Sequence, residues 1–288
     1  MSRHIAALVL AAPLAIGACH VDSGPRHVEP NAFAWSGSVA AGKSLYLRNV
    51  SGDIRVVATD SPAVFVQASK SWRGSGGGNV RFIQRDLEDG VIICTMLGDS
   101  NNCSPSSYGS GSSGNRSFDL HDLLRGRKGA SVSYVVHVPA GVKVNVSTIS
   151  GEIGVADVSG AVQAETVNGK VQVATLGGPV TASSVNGSVS VAIDSLGGPG
   201  DIELSTVNGS VTAQLPPSLQ AQLSMETVNG SVHSDFEVAG NDSSTHKEIK
   251  GMIGAGGRRV ALETVNGSVR LLRGSSDARQ VASPSLDR

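Results

Sequence analysis

One short corner recurs along the chain and limits what it can fold into. Thr166-Val167-Asn168-Gly169-Lys170-Val171 returns as Ser184-Val185-Asn186-Gly187-Ser188-Val189, then as Thr206-Val207-Asn208-Gly209-Ser210-Val211, and again over Thr227–Val232 and Thr264–Val269. Weaker copies precede these at Asn49–Ile54, Thr148–Ile153 and Asp157–Val162. From Gly151 to Gly267 the corner glycines advance by 9, 9, 18, 22, 21 and 37 residues. The unit is therefore near 20 residues, with half-steps early and an insertion late, over Ala239–Gly257. A second kind of break falls between the corners, at Leu176-Gly177-Gly178-Pro179, Leu196-Gly197-Gly198-Pro199 and Leu215-Pro216-Pro217. Each unit holds two strands and two corners.

The strands alternate with period two. Ile202, Leu204 and Thr206 share one face, and Val211, Ala213 and Leu215 share the next. The inward parity slips by one residue across Val207-Asn208-Gly209. The same slip separates Val180/Ala182/Ser184 from Val189/Val191/Ile193, and Val260/Leu262/Thr264 from Val269/Leu271. Asn and Gly suit such a corner because both tolerate positive φ. Two folds fit. Asn-Gly between alternating runs is a strong hairpin signal, which gives an antiparallel β meander. The other fold is all-β, a parallel β-helix-like solenoid whose coils stack. Near-identical corners favour the solenoid, since Asn ladders and Val stacks then reinforce one another along the axis, whereas a meander does not need identical corners. A coil exposes its apolar face until a neighbour covers it, so the end coils need covers. The N-terminal strands and the 239–257 insertion are the candidates.

Composition agrees with a long, thin core. Of 288 residues 40% are hydrophobic but only 3% aromatic, and Gly and Pro number 36 and 11. That glycine and proline content is below the level that marks disorder. With Lys+Arg 23 against Asp+Glu 24, the net charge of −1 gives no basic excess for nucleic acid.

The first nineteen residues read as a delivery signal. Arg3 and His4 precede an apolar run over 5–18, broken by Pro13, and Ile16-Gly17-Ala18-Cys19 closes it. A positive front, a short apolar run and small residues mark a secretory leader. The cysteine directly after the small pair resembles the lipobox of bacterial lipoproteins, in which that thiol is acylated and becomes the new N-terminus. An ordinary signal peptide with an incidental cysteine is the alternative. His20 rather than Asp after Cys19 resembles the pattern that sorts lipoproteins to the outer membrane. Removing Cys19 from the count of three cysteines leaves Cys94 and Cys103. In an oxidising envelope such a pair reads as a disulfide closing a loop, or else as two buried thiols.

Other features carry less chemistry. Gly109–Gly114 matches a dinucleotide fingerprint but sits in a Ser/Gly loop with no βαβ unit. The histidines are scattered, His121-Asp122 being the one proton-transfer candidate, and no Gly-x-Ser-x-Gly elbow occurs. Glu165, Glu226 and Glu263 precede corners and Glu203 lies on another strand; stacked, they would form an acidic stripe of the kind polysaccharide-cleaving solenoids need. Otherwise they are the outward polar members of their strands. Arg125, Arg127 and Lys128, and Arg258-Arg259, are two basic clusters able to touch anionic head groups. Asn-Gly-Ser at 186, 208, 229 and 266 reads as turn chemistry rather than glycosylation. No metal or cofactor set is expected.

Phe33, the run Leu45–Val56, the run Val64–Lys70, and Val132–Val138 with Pro139-Ala140-Gly141 ahead of the corners resemble the bacterial "putative adhesin" β-strand-repeat domain, a domain of unknown function. That family is similar to autotransporter-type adhesin heads, and the resemblance covers about residues 31–273. It implies a β-helical fold and an envelope location and supplies no catalytic residues. The Cys94–Cys103 region and 104–128, where Phe118–Arg127 reads as one short helix, depart from its pattern. The expected division is a lipoprotein signal peptide over 1–18, a flexible tether over 19–30, an adhesin-like β-repeat domain over 31–273 (irregular to 140, regular from 141), and a disordered tail over 274–288. The expected role is a non-catalytic, lipid-anchored envelope protein displaying loops on a rigid rod. It meets the membrane through Cys19, takes an unidentified envelope glycan or protein as ligand, and binds no nucleic acid. The alternatives are a periplasmic sensor or accessory protein and a polysaccharide-active β-helix enzyme.

Overall fold

The computed structural model describes residues 25–74, 77, 80–97, 102–106, 130–196, 200–240 and 246–274. Among these residues there is no helix. The irregular part supplies β1 (Arg26–Gly37), β2 (Ser44–Arg48), β3 (Ile54–Ala58), β4 (Val64–Arg73), β5 (Val80–Leu87), β6 (Gly90–Leu97) and β7 (Ser131–Val138). The repeats supply β8 (Lys143–Ser150), β9 (Ile153–Val158), β10 (Val162–Asn168), β11 (Val171–Thr175), β12 (Val180–Asn186), β13 (Val189–Ile193), β14 (Ile202–Asn208) and β15 (Val211–Leu215). The last stretch holds β16 (Ala221–Asn229), β17 (Val232–Ser234), β18 (Glu248–Ile253), β19 (Arg258–Asn266) and β20 (Val269–Arg273).

These strands form two facing ten-stranded sheets, ordered β1-β4-β7-β3-β9-β11-β13-β15-β20-β17 and β18-β16-β19-β14-β12-β10-β8-β2-β6-β5. The strands on either side of each Asn-Gly corner lie in opposite sheets, and each pairs in parallel with the matching strand of the next coil. The fold is a β-solenoid with two strands per coil, and the meander is excluded. Matching residues meet in register. Val162, Val180, Ile202 and Val260 form one inward row, and Val171, Val189, Val211 and Val269 form its counterpart in the other sheet. Both rows are almost fully buried. Small β-branched side chains suit two closely facing pleated sheets, so the regular part of the core needs no aromatic ring.

The corner works through close approach. A Cβ built on Gly187 would lie 1.8 Å from the Gly169 carbonyl oxygen, and one on Gly267 would lie 1.9 Å from that of Gly209. No side chain fits between coils stacked at that distance. This narrows the positive-φ reading of the corner: Gly209 and Gly267 do carry a positive φ, of 156° each, while Gly169, Gly187 and Gly230 do not. No corner asparagine has a positive φ; among the described non-glycine residues only Asp157 has one, at 59°, beside the register shift in β9. Each corner adds hydrogen bonds to the next coil. Thr166, Ser184, Thr206, Thr264 and Thr227 turn their hydroxyls inward and donate to the carbonyls of Gly151, Gly169, Gly187, Gly209 and Gly267. The glycine amides of Gly169, Gly187, Gly209 and Gly267 donate in the opposite direction, to the carbonyls of Asn186, Asn208, Asn266 and Asn229, at 2.9–3.1 Å.

Chain order and stacking order part company at both ends. The β2/β3 coil lies between β6/β7 and β8/β9, and the β19/β20 coil between β14/β15 and β16/β17. The first and last regular coils are therefore internal. Beyond them the sheets close with antiparallel strands: β1 and β4 at one end of the first sheet, β5 on β6 in the second, and β18 on β16 at the far end. The antiparallel cover from the 239–257 insertion is β18 itself. The tether expected to run to residue 30 stops earlier, because Arg26–Glu29 already pair with Lys70–Arg73. Pro30 sits at the register shift before Phe33, on an edge strand where a missing N–H costs nothing.

Aromatics gather at the ends. Phe33 stacks on Phe82 at 5.0 Å, and Phe82 meets Tyr134 edge-on at 6.5 Å. The Tyr134 hydroxyl shares a 2.6 Å hydrogen bond with Thr95, and burial pushes its phenol far above the ordinary value. At the other end Phe236 closes the core under Arg273, 5.0 Å from its guanidinium carbon. Asp235 accepts from the Arg273 backbone N–H at 3.1 Å and pairs with His233 at 3.0 Å.

Gly187→Ala is expected to destabilise the chain by about 3 kcal/mol, since a methyl must force two backbones apart. Thr181→Ala, on an exposed outward position, should stay within about 0.5 kcal/mol. Urea unfolding of both variants beside the parent measures this. The far end should respond to acid. The Arg273 amide, and next the His233 side chain, hold the Asp235 carboxyl below its ordinary value. A carboxyl depressed in the folded state adds stability above its unfolded pKa and loses it as pH falls through the folded one. Melting temperatures should therefore converge for parent and Asp235→Asn only in acid below the ordinary carboxylate range.

Candidate functional site

The corner asparagines continue past the backbone as a ladder on one rim. Asn186 Nδ2 donates to Asn168 Oδ1, Asn208 to Asn186, Asn266 to Asn208 and Asn229 to Asn266, at 2.8–2.9 Å. In parallel register the strand spacing of about 4.8 Å brings identical amides head to tail. The valines that precede them point outward: Val185, Val207 and Val265 are each 40% exposed and Val228 is 52% exposed. The rim is a strip of Asn, Val and Ser, with Lys170 in the Ser position of the first corner, 4.0 Å from Glu152. All ten corner residues singled out in the sequence, from Asn168 and Gly169 to Asn266 and Gly267, lie along it, in the spatial order 168, 186, 208, 266, 229.

A second feature sits on the outer face of the second sheet near its β5 end. Cys94 of β6 and Cys103 are bonded, with their Cα atoms 5.9 Å apart. The bond holds the described segment 102–106 against the sheet, over a small separate core of Ile92, Cys94, Met96 and Cys103 flanked by Tyr46, Ile83 and Leu87. Arg48, 4% exposed, pins the same segment: one guanidinium nitrogen donates to the Asn145 carbonyl at 3.0 Å and the other to Pro105 at 2.8 Å. Beside it the buried Asn49 side-chain amide donates to the carbonyls of Ser51, Gly52 and Val132. Sequence reasoning missed Arg48 and Asn49. Their signal was a charge and an amide directly after the alternating Leu45 and Leu47, where a strand that stays one-sided would not bury them.

The carboxylates divide. Glu263 of β19, Glu226 of β16 and Glu248 of β18 occupy one cross-strand row. Glu165 stands in the same row on β10, separated from them by Ser183 and Ser205. Lys250 pairs with Glu248 and reaches Glu226 at 3.8 Å, and these carboxylates raise its ammonium pKa, the Glu248 hydrogen bond most of all. Glu203 meets Arg259 at 3.8 Å. These carboxylates stand on the outer face of the second sheet, Glu165, Glu203, Glu226 and Glu263 exposed and Glu248 half-buried. Among the described residues no group of three or more His, Cys, Asp or Glu could hold a metal ion.

The second basic cluster is structural. Arg258 donates to the carbonyls of Gly200 and Leu196, both at 3.1 Å, and the Arg259 amide donates to Asp201. In the late insertion the His246 carbonyl accepts from Val232, and Lys247 bonds to Val228 and Thr227. Cys19, Gly109–Gly114, Phe118–Arg127, His121-Asp122 and the cluster at 125, 127 and 128 lie outside the described residues.

Replacing both Cys94 and Cys103 by Ala is expected to speed hydrogen exchange in 102–106 and in Ile92–Met96. Exchange at the corner amides of Gly169, Gly187 and Gly209 should not change. Equal acceleration in both regions would mean that the bond supports the whole solenoid rather than the patch.

A family model described as Toastrack DUF4097 matches residues 43–272. Of 288 residues that is well over half, and the chain belongs to this family. No curated protein matches the sequence. Among solved structures, a "putative cell adhesion protein" from Clostridium sporogenes shares 11% identity at a TM-score of 0.43, covering 85% of this chain and all of that one. A "putative adhesin" from Bacteroides fragilis shares 9% at a TM-score of 0.25, covering 84% and 96%.

Proposed function

We propose that this member of the Toastrack DUF4097 family is a lipid-anchored, non-catalytic protein of the cell envelope. Its solenoid is the rigid part, and its loops make the contacts. The observation that carries this reading is the placement of the irregular features. The regular coils, β8 to β15, present outward rows of polar side chains such as Gln163, Gln172, Thr181, Thr212 and Gln214, with no disulfide and no aromatic ring among them. The disulfide-tied segment 102–106, the buried Arg48, the aromatic cluster and β1 all lie at one end of the stack. Loops held on rigid scaffolds carry recognition.

The anchor enters at that same end. Six residues separate Cys19 from Arg26, where β1 begins. Even fully extended, the chain from Cys19 reaches only about 25 Å. An acylated Cys19 would hold the β1 end of the solenoid near the lipid and leave the Phe236 end farthest along the stack. A partner bound at the β1 end would then lie close to the membrane, which favours an envelope glycan or membrane-associated protein as ligand. The same placement serves the accessory-protein reading. The polysaccharide-enzyme reading has no comparable support, since its carboxylates lie on an open face.

Two measurements test this. Cys19→Ala is expected to move the protein from the membrane fraction to the soluble envelope fraction; retention in the membrane would refute the anchor. Protease treatment of intact cells carrying a C-terminal tag should remove the tag if the solenoid faces outward. Protection until permeabilisation would assign it to the periplasm and replace adhesion with an accessory role.

A further inference from the structure

The five Val-Asn-Gly corners are alike in sequence and differ in one structural respect. In an Asn-Gly pair the glycine backbone nitrogen can attack the asparagine Cγ. The new C–N bond closes a succinimide ring, the glycine nitrogen gives up its proton, and the side-chain nitrogen leaves as ammonia. Water then opens the ring, giving aspartate or isoaspartate. Glycine permits this because it carries no side chain to block the approach. The step requires the glycine N–H to be available and the backbone to swing toward Cγ.

The ladder denies both at four corners. The amides of Gly169, Gly187, Gly209 and Gly267 donate to the next coil at 3.1, 2.9, 3.0 and 3.0 Å. All four glycines are half-buried. Gly230 belongs to the last coil, and no coil lies beyond it. The covering strand β18 pairs with β16 only over Ala221–Glu226, and the residues just before it flank the corner without meeting the glycine amide: the Lys247 carbonyl accepts from Thr227 and that of His246 from Val232. Among the described residues none accepts from the Gly230 N–H, and Gly230 is the one corner glycine that is exposed. Asn229 is also the ladder's end. Its amide donates to Asn266 at 2.8 Å, and no described asparagine donates to it in turn.

We propose that Asn229 is a modification site, the corner at which this chain deamidates through a succinimide, while Asn168, Asn186, Asn208 and Asn266 persist. The product loses the amide donor to Asn266. It also places a new carboxylate three residues after Glu226, beside the acidic row with Glu248 and Glu263. An isoaspartate would add a backbone methylene between β16 and β17, which touches the end coil and spares the internal ones.

The test is to hold the folded full-length chain in mildly alkaline buffer and digest samples with a Glu-specific protease. Cleavage after Glu203, Glu226 and Glu263 puts Asn208, Asn229 and Asn266 in separate peptides, and fragmentation separates Asn168 from Asn186. Local opening must precede attack at the held corners. Conversion at Asn229 should therefore run at least about tenfold faster than at any other corner, a ratio that corresponds to 1.4 kcal/mol of protection. In denaturant the five rates should converge. Asn229→Gln should abolish the early acidic species seen on ion exchange. Equal rates at all five corners in the folded chain would overturn the proposal, as would an inert Asn229 in a folded chain whose denatured form deamidates there.

Discussion

Everything regular in this molecule depends on how closely one corner approaches the next. The carbonyl of each corner glycine lies where the following glycine would otherwise carry its Cβ. That distance sets the coil spacing, and the coil spacing lets three further interactions form together: the inward hydroxyl to the glycine carbonyl, the glycine amide to the next asparagine carbonyl, and the asparagine ladder. The sheets need the same spacing to pair in parallel. The Thr-Val-Asn-Gly motif therefore has one residue for the core side, one for the outer rim, one for the ladder and one whose lack of a side chain admits the neighbour.

A stack built this way has an unsatisfied edge at each end, and exposed edges invite other strands. Both ends are managed by breaking the simple order. At the C-terminal end the chain runs past one coil position, turns back with β18 and fills the gap with β19/β20. At the N-terminal end it lays β2/β3 first, builds β4–β7 outside it and then continues with β8/β9 on its other side. The coils nearest the termini of the fold, β2/β3 and β19/β20, are thereby held on both sides. Rings that the regular coils do not need are spent at the ends, where Phe33, Phe82 and Tyr134, or Phe236, cover the last row of valines.

This division bears on function. The repeats are uniform because stacking demands uniformity, which leaves little scope for a specific site along them. Specific features collect where stacking is already interrupted, around the disulfide and Arg48 at one end and the Asp235 cap at the other. An acylated Cys19 would bring the first of these ends to the membrane.

The sequence by itself determined the two-strand coil, the inward and outward faces, the parity slip and the residues of the ladder, because a motif of period near 20 repeats its local physics in every copy. The assignment of Ile202, Leu204 and Thr206 inward, for example, needed no neighbour to decide it. The tertiary structure alone decided what depends on residues far apart in the chain. The late corner at Asn266 sits between Asn208 and Asn229 because the 239–257 insertion lets β18 cover β16 and leaves a place for β19. The burial of Arg48 depends on a segment more than fifty residues later folding over it. Residues expected to form a tether became a strand because β4 offered them an edge. The reason for glycine shared by all five corners was also hidden from the sequence, because it lies in the backbone of another coil; the torsions of Gly209 and Gly267 only add to it.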